Sequence, residues 1–159
     1  LPKLAPVSKK TSLLNYDLRL CIAGTQKQRT ITITLKVACT SCCPCSKAIS
    51  AFGAHNQRSQ ITSSFELIGQ TPKDFFKRLI TSIESAASCD LYPLIKREDE
   101  KSVTEKAFNN AKFAEDIVRD SAVNLKEFLG IIDNVTIRAE NFESIHNHNA
   151  FAQCTLSVK

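Results

Sequence analysis

The sequence predicts an α+β domain, an antiparallel sheet with two helices packed on one face. Apolar and polar residues alternate in stretches near both ends of the chain, as half-buried strands require. Two central stretches instead space their apolar residues to line one side of a helix. The order is strands, helix, helix, strands. It lacks the βαβ alternation of a parallel sheet, so the strands pair antiparallel with the helices to one side.

Residues 1–11 carry two prolines and no periodicity, and read as an extended lead-in to a single unit over 12–159. From Leu14 the set Leu14, Tyr16, Leu18, Leu20 and Ile22 alternates with Asn15, Asp17 and Arg19, which predicts a strand with one buried side. Residues 24–28 form a polar hairpin loop. Ile31, Ile33, Leu35 and Val37 then line one face of a second strand. Ile61, Ser63, Phe65 and Leu67 suggest a third, ended by Gly69. Thr71-Pro72-Lys73-Asp74 is a helix start, with a Thr cap and Pro in the first helical position. Phe76, Leu79, Ile80, Ile83 and Ala87 follow at helical spacing. A second helix begins near Asn110, with Phe113, Ile117, Ser121, Leu125 and Phe128 as its stripe and Gly130 as its stop. Val135, Ile137 and Ala139 form a strand, and Ala152, Cys154, Leu156 and Val158 point inward from the last one. The segment from Cys89 to Asn109 reads as a long charged loop, a kind more often functional than idle.

With 159 residues, 43% of them hydrophobic, the chain can bury one proper core. The net charge of +5 suits an anionic ligand. The basic residues are scattered and not interleaved with aromatics, which argues against nucleic acid. No apolar run approaches the roughly 20 residues of a membrane helix, and the start lacks a signal-peptide pattern. The chain begins with Leu1 and contains no Met, so it reads as a processed product, a domain or a fragment. Four of seven cysteines (Cys39, Cys42, Cys43, Cys45) fall within seven residues, too crowded for a disulfide framework. Reduced thiols in the cytoplasm are the expectation.

The chemistry concentrates in two segments that hold all three histidines, 43–58 and 140–148. Cys43 and His55 are twelve residues apart across Pro44 and Gly53, and both can bend onto one borderline metal ion. The competing reading makes Cys43 a small buried residue and His55 a surface cap. Lys47 and Arg58 are phosphate candidates or simply solvated cations. Glu115, in the first turn of the second predicted helix, either complements the helix dipole or accepts two N–H bonds from a guanidine-like ring edge. His146 and His148 would share a face on a strand, and with Glu143 they can move protons near neutral pH.

The run Cys43-Pro44-Cys45-Ser46-Lys47-Ala48-Ile49-Ser50, with Gly53-Ala54-His55-Asn56-Gln57-Arg58-Ser59 after it, resembles the signature of the type IB GTP cyclohydrolases. The likeness continues through 87–89, 94–101, 103–107, 113–120 and 140–148. It implies the tunnelling fold, whose units assemble into barrels with active sites at the interfaces, and a homo-oligomer. It also implies conversion of GTP to dihydroneopterin triphosphate and formate, at the start of folate synthesis. By resemblance the metal ligands are Cys43, His55 and Glu100, for zinc, manganese or iron. Glu115 anchors the guanine, while Glu143, His146 and His148 line the reaction centre. Family enzymes usually carry two such units in tandem, and this chain resembles the second. Two other readings remain on the same residues. One is a related pterin or deazaguanine enzyme with Cys43 or Cys45 as nucleophile; the other is a non-catalytic metal-binding assembly module.

Overall fold

The computed structural model describes residues 1–25 and 27–157. Two short strands, β1 (Pro2–Leu4) and β2 (Thr11–Leu13), pair as a small antiparallel sheet. The main sheet follows with β3 (Asp17–Gly24), β4 (Arg29–Cys42), β5 (Asn56–Leu67), β6 (Cys89–Asp90), β7 (Ile132–Asn141) and β8 (Ala150–Leu156). Its path is β3-β4-β5-β7-β8, and β6 pairs with the far end of β4. Every pairing is antiparallel. The helices are α1 (Pro44–Ile49), α2 (Phe75–Glu84), α3 (Arg97–Asn109) and α4 (Ala114–Leu125), the last extended by a 3-10 turn over Lys126–Phe128. The α+β class stands, with four helices among the described residues rather than two. None of them is long and apolar enough to cross a membrane.

Alternation decides the faces. Ile33, Leu35, Val37, Ile61, Phe65, Val135, Ile137 and Ala139 are buried against Leu79, Ile83, Ile117 and Leu125 of α2 and α4. The two sequence-predicted helices therefore do cover one face, and burying such side chains stabilises the fold by about 1.5–3 kcal/mol each. Phe75, Phe65 and Phe128 meet edge to face beneath α2. Phe75, not Phe76, is the inward residue, because the helix starts at Phe75 and Pro72–Asp74 form the preceding turn. Phe113 leaves the stripe of α4 because it sits at the N-cap, where it is exposed.

The first main strand differs from expectation. It begins at Asp17, and Leu18, Leu20 and Ile22 are exposed. They stand opposite Leu35, Ile33 and Ile31 on the core side, but β3 is the sheet edge and lies beyond the cover of α2 and α4. Gln26 and Val158 lie outside the described residues.

The stretch read as a loop contains β6 and thirteen-residue α3. The weak apolar pattern of α3 explains the misreading, since only Asp99 and Ala107 are buried in that helix. The legible signals were electrostatic: Glu98, Asp99 and Glu100 in the first turn and Lys106 in the last. Asp99 accepts the Lys96 amide (2.8 Å), the amides of Val7 and Ser8 (2.7 and 2.9 Å) and the Ser8 hydroxyl. One carboxylate thus caps α3 and fastens the chain's start to it. Burial alone would raise the Asp99 pKa; the Ser8 hydroxyl and the three amides outweigh it and hold the carboxyl well below the usual range. Lys3 makes a second fastening, donating to Glu84 (2.7 Å) and Asp90 (2.9 Å), while the Tyr16 hydroxyl donates to the other Glu84 oxygen (2.6 Å). The proline-bearing start doubles back through a turn at residues 6–8 as the β1–β2 hairpin, and it is anchored.

Candidate functional site

β4 runs straight into the cysteine cluster. Cys43 caps α1, with Pro44 in the first turn, where its missing N–H costs nothing. The Cys43 Sγ accepts the Ser46 amide at 3.5 Å. The chain then returns through Gly53, whose φ of 122° lies in the left-handed region that favours glycine. Two bonds close the loop at His55: the Cys43 amide donates to the His55 carbonyl (3.1 Å), and the His55 amide to the Ser46 Oγ (3.2 Å). Loop closure, more than sequence spacing, brings the Cys43 and His55 backbones against each other.

The second polar segment joins them by three rungs, at Arg58, Gln57 and His55. After β5 and β7 cease to pair at Asn141, the Phe142 amide donates to the Arg58 carbonyl (3.0 Å). Gln57 Nε2 donates to Glu143 Oε1 (3.3 Å), and His55 Nδ1 lies 3.1 Å from Ser144 Oγ. The antiparallel ladder thus continues through side chains. His146 and His148 lie in the irregular turn beyond it rather than on a strand. They share a side nonetheless, their rings stacked with centroids 5.2 Å apart. Asn147 Oδ1 lies 3.2 Å from the His148 Nδ1.

The other named residues sit at different distances from this centre. Lys47 points its amine at the C-terminal end of α3, donating to the Phe108 carbonyl (2.6 Å) with the cation 4.4 Å from the Phe108 ring centre. In this arrangement the cation is engaged by the protein, which weighs against a phosphate role. Arg58 projects from β5, exposed, and makes no ion pair among the described residues. Glu100 lies one turn before Thr104 on α3, and Thr104 and Phe108 line a cavity with Gly53, Ala54 and Asn56. Its face of α3 therefore looks toward the loop that carries His55. Glu115 lies in a different groove, between α4 and β8, with Val118, Ala152 and Leu156.

Cys43 and His55 fit a borderline divalent ion by donor chemistry, one sulfur and one ring nitrogen on a closed loop. With Nδ1 beside Ser144, Nε2 is the ring nitrogen left for coordination. Glu100 is not in contact with them, and among the described residues no three His, Cys, Asp or Glu side chains converge closely enough to hold a metal.

All seven cysteines are free thiols. Burial raises Cys42 and Cys89 above the ordinary thiol range, and pushes Cys39 up to about 12 with the nearby Glu84 and Asp90 charges adding to it. Those three are unsuited to act as nucleophiles at neutral pH. Cys43 is half-buried and Cys45 exposed.

Sequence reasoning passed over Gln57 and Ser144, although Gln57 occupies an inward position of β5. The inward series Gln57, Ser59, Ile61, Ser63, Phe65 already placed a polar residue where the core should be.

A family model described as type I GTP cyclohydrolase folE2 matches residues 1–152. The chain belongs to that family. It is 49% identical over 150 residues to "GTP cyclohydrolase FolE2" of Bordetella pertussis (strain Tohama I), covering 94% of this chain and 55% of that protein. Against the protein of that name from Herminiimonas arsenicoxydans the identity is 51% over 152 residues, 94% of this chain and 56% of the relative. For Ralstonia nicotianae it is 49% over 150 residues, with 94% and 54% covered. The chain spans about half the length of the curated relatives it matches. Family membership agrees with the resemblance carried by the motifs at 43–59 and 140–148.

Proposed function

We propose that this chain is the metal-bearing half of a GTP cyclohydrolase of the cytoplasm, converting GTP to dihydroneopterin triphosphate and formate in folate synthesis. The observation that carries this reading is the three-rung ladder, which lays Glu143 and Ser144 against Gln57 and His55 beside Cys43. A proton-transfer group and a metal-ligand pair thereby share one corner of the fold.

Cys43 and His55 would hold the ion, zinc, manganese or iron, with Glu100 brought in from α3. When bound, the ion would activate water for attack at neutral pH. Glu115 accepts two N–H bonds from the pyrimidine edge of guanine, the bidentate geometry a carboxylate offers. Glu143, His146 and His148 take the proton from water as it adds at C8 of the imidazole ring. They return it to the ring nitrogen as the C8–N bond breaks. A second water releases formate from the opened ring, and rearrangement of the ribose with reclosure onto the freed amine then expels one water and gives dihydroneopterin triphosphate. Arg58, and Lys47 if it leaves Phe108, face the triphosphate.

Glu115 and the Cys43–His55 corner line different surfaces, and the apolar residues of edge strand β3 are exposed. Both facts support a homo-oligomer in which a complete site forms between units, as a tunnelling-fold barrel would provide.

The test is the fluorescence of pterin formed from GTP by the full-length protein, metal-loaded in one sample and chelator-stripped in the other. Turnover only in the loaded sample is the expected result. Turnover that survives chelation points to the thiol reading, with Cys43 or Cys45 as nucleophile. Tight metal binding without turnover points to the assembly module.

A further inference from the structure

The middle rung of the ladder joins a buried amide to a carboxylate. Gln57 is 6% exposed, and its Nε2 donates to Glu143 Oε1 at 3.3 Å. Its own Oε1 is buried without a hydrogen-bond partner among the described residues. An amide turned the other way would set oxygen against carboxylate oxygen. The side chain therefore turns its donor, not its acceptor, toward Glu143.

The surroundings fix Gln57 in place. Its backbone pairs with Ser41 in the β4–β5 register, and Ser59, two residues on, pairs with Asn141. Ser59 Oγ lies 2.8 Å from Ser41 Oγ and 2.7 Å from Asn141 Oδ1. These side chains are all buried. The core face of the sheet thus ends in a polar layer that grips the last residue of β7, two residues before Glu143. On either side of Gln57 the rungs at Arg58 and His55 hold Phe142 and Ser144. Glu143 is exposed only in part, and the Gln57 amide is the one side-chain donor the structure gives its carboxylate among the described residues.

We infer that Gln57 is a positioning residue, whose amide fixes the rotamer of Glu143 and so aims that carboxylate into the Cys43–His55 corner. This deepens the proposed function and rests on it for its kinetic consequence. An unaimed carboxylate still binds substrate but meets the reacting proton less often. The signature is a fall in kcat with KM held.

Two measurements on the full-length protein test it. In a double-mutant cycle, Gln57→Leu is expected to lower kcat for GTP about 10–100-fold with KM within about 2-fold. The combination with Glu143→Gln should then be no slower than Glu143→Gln alone. Losses that multiply in the double variant, or a KM effect without a kcat effect, overturn the proposal. The second measurement needs no turnover: the side-chain amide signals of Gln57 in a nitrogen-15 NMR spectrum, assigned by their loss in Gln57→Leu. Glu143→Ala should move them and speed their exchange with water, whereas Glu140→Ala, on the opposite face of β7, should not. Unmoved signals in Glu143→Ala overturn the inference even if GTP is turned over. Shifted signals in a protein that makes no pterin support the contact and reject only the cyclohydrolase reading.

Discussion

Replacing Lys3 by Met removes the cation from a site that two acids share. Lys3 has a side chain 12% exposed and donates to Glu84, 5% exposed, and Asp90, 21% exposed. Asp90 keeps Lys106 at 3.4 Å, while Glu84 keeps only the Tyr16 hydroxyl among the described residues. The penalty therefore falls on Glu84, a buried carboxylate left without a counter-charge. Breaking such a pair from one side costs about 3–5 kcal/mol, and the surviving Tyr16 bond argues for the lower end, about 3 kcal/mol. For a chain of this size that lowers Tm by about 6–12 °C. Burial works to lower the Lys3 pKa, yet the Glu84 and Asp90 contacts prevail and raise it. The pair's contribution is thus full below the unfolded-state lysine pKa of about 10.4 and fades as pH rises through the higher folded value. The assay is thermal denaturation followed by circular dichroism at pH 7 and again near pH 11, for wild type, Lys3→Met and Lys3→Met/Glu84→Gln. The single variant should lose most at pH 7, and the double variant should regain at least half of it. A loss below about 1 kcal/mol, the value of an exposed pair, would refute the reasoning.

Asp99 gives the opposite pH sign. Its depressed folded pKa contributes stability that is present above about pH 4 and lost as pH falls toward the folded value; Asp99→Asn should flatten the acid limb of a stability–pH curve and deprotect the Val7 and Ser8 amides in hydrogen exchange. His55→Ala should weaken zinc binding at least about 10-fold in a chelator competition, while Cys45→Ser should leave it within about 2-fold, and equal losses in both would remove the Cys43–His55 pairing. Gly24 has φ of 132°, and a Cβ there would stand 2.2 Å from the Gln28 carbonyl oxygen. Gly24→Ala should therefore cost more than about 1 kcal/mol in urea denaturation, and an unchanged midpoint would mean that the hairpin yields freely. Ile137→Ala, on the central part of β7 with no exposure, should cost about 2–5 kcal/mol in the same assay.

Local pattern was enough for much of this protein. The alternation of Ile31, Ile33, Leu35 and Val37, and of Val135, Ile137 and Ala139, fixes strand and face together, because a strand's side chains repeat every two residues. The stripe Ile117, Ser121, Leu125 places α4 by the same logic at helical period. The motifs around Cys43, His55 and His146 were equally plain, since soft sulfur, imidazole and carboxylate have few structural reasons to cluster. Where burial depends on what lies above a surface, pattern failed. Leu18, Leu20 and Ile22 alternate as cleanly as any core strand, yet no helix of the described chain covers that edge. Helix α3 escaped because hydrogen bonds and charge hold it, with Asp99 capping its start and tying it to Ser8, ninety-one residues earlier.

Only the tertiary structure decided which polar residues meet. Gln57 and Glu143 are eighty-six residues apart, and nothing local to either names the other. Their contact follows from the β5–β7 register, set by apolar residues such as Ile61, Phe65, Ile137 and Ala139 away from the site. Lys47 likewise found the Phe108 carbonyl through the packing of α3 beside α1, not through its own neighbours in sequence. Sequence fixes what a short segment must become, because secondary structure obeys nearest-neighbour periods. Which distant side chains then share a bond is set by the fold as a whole, and so is the geometry of the candidate site.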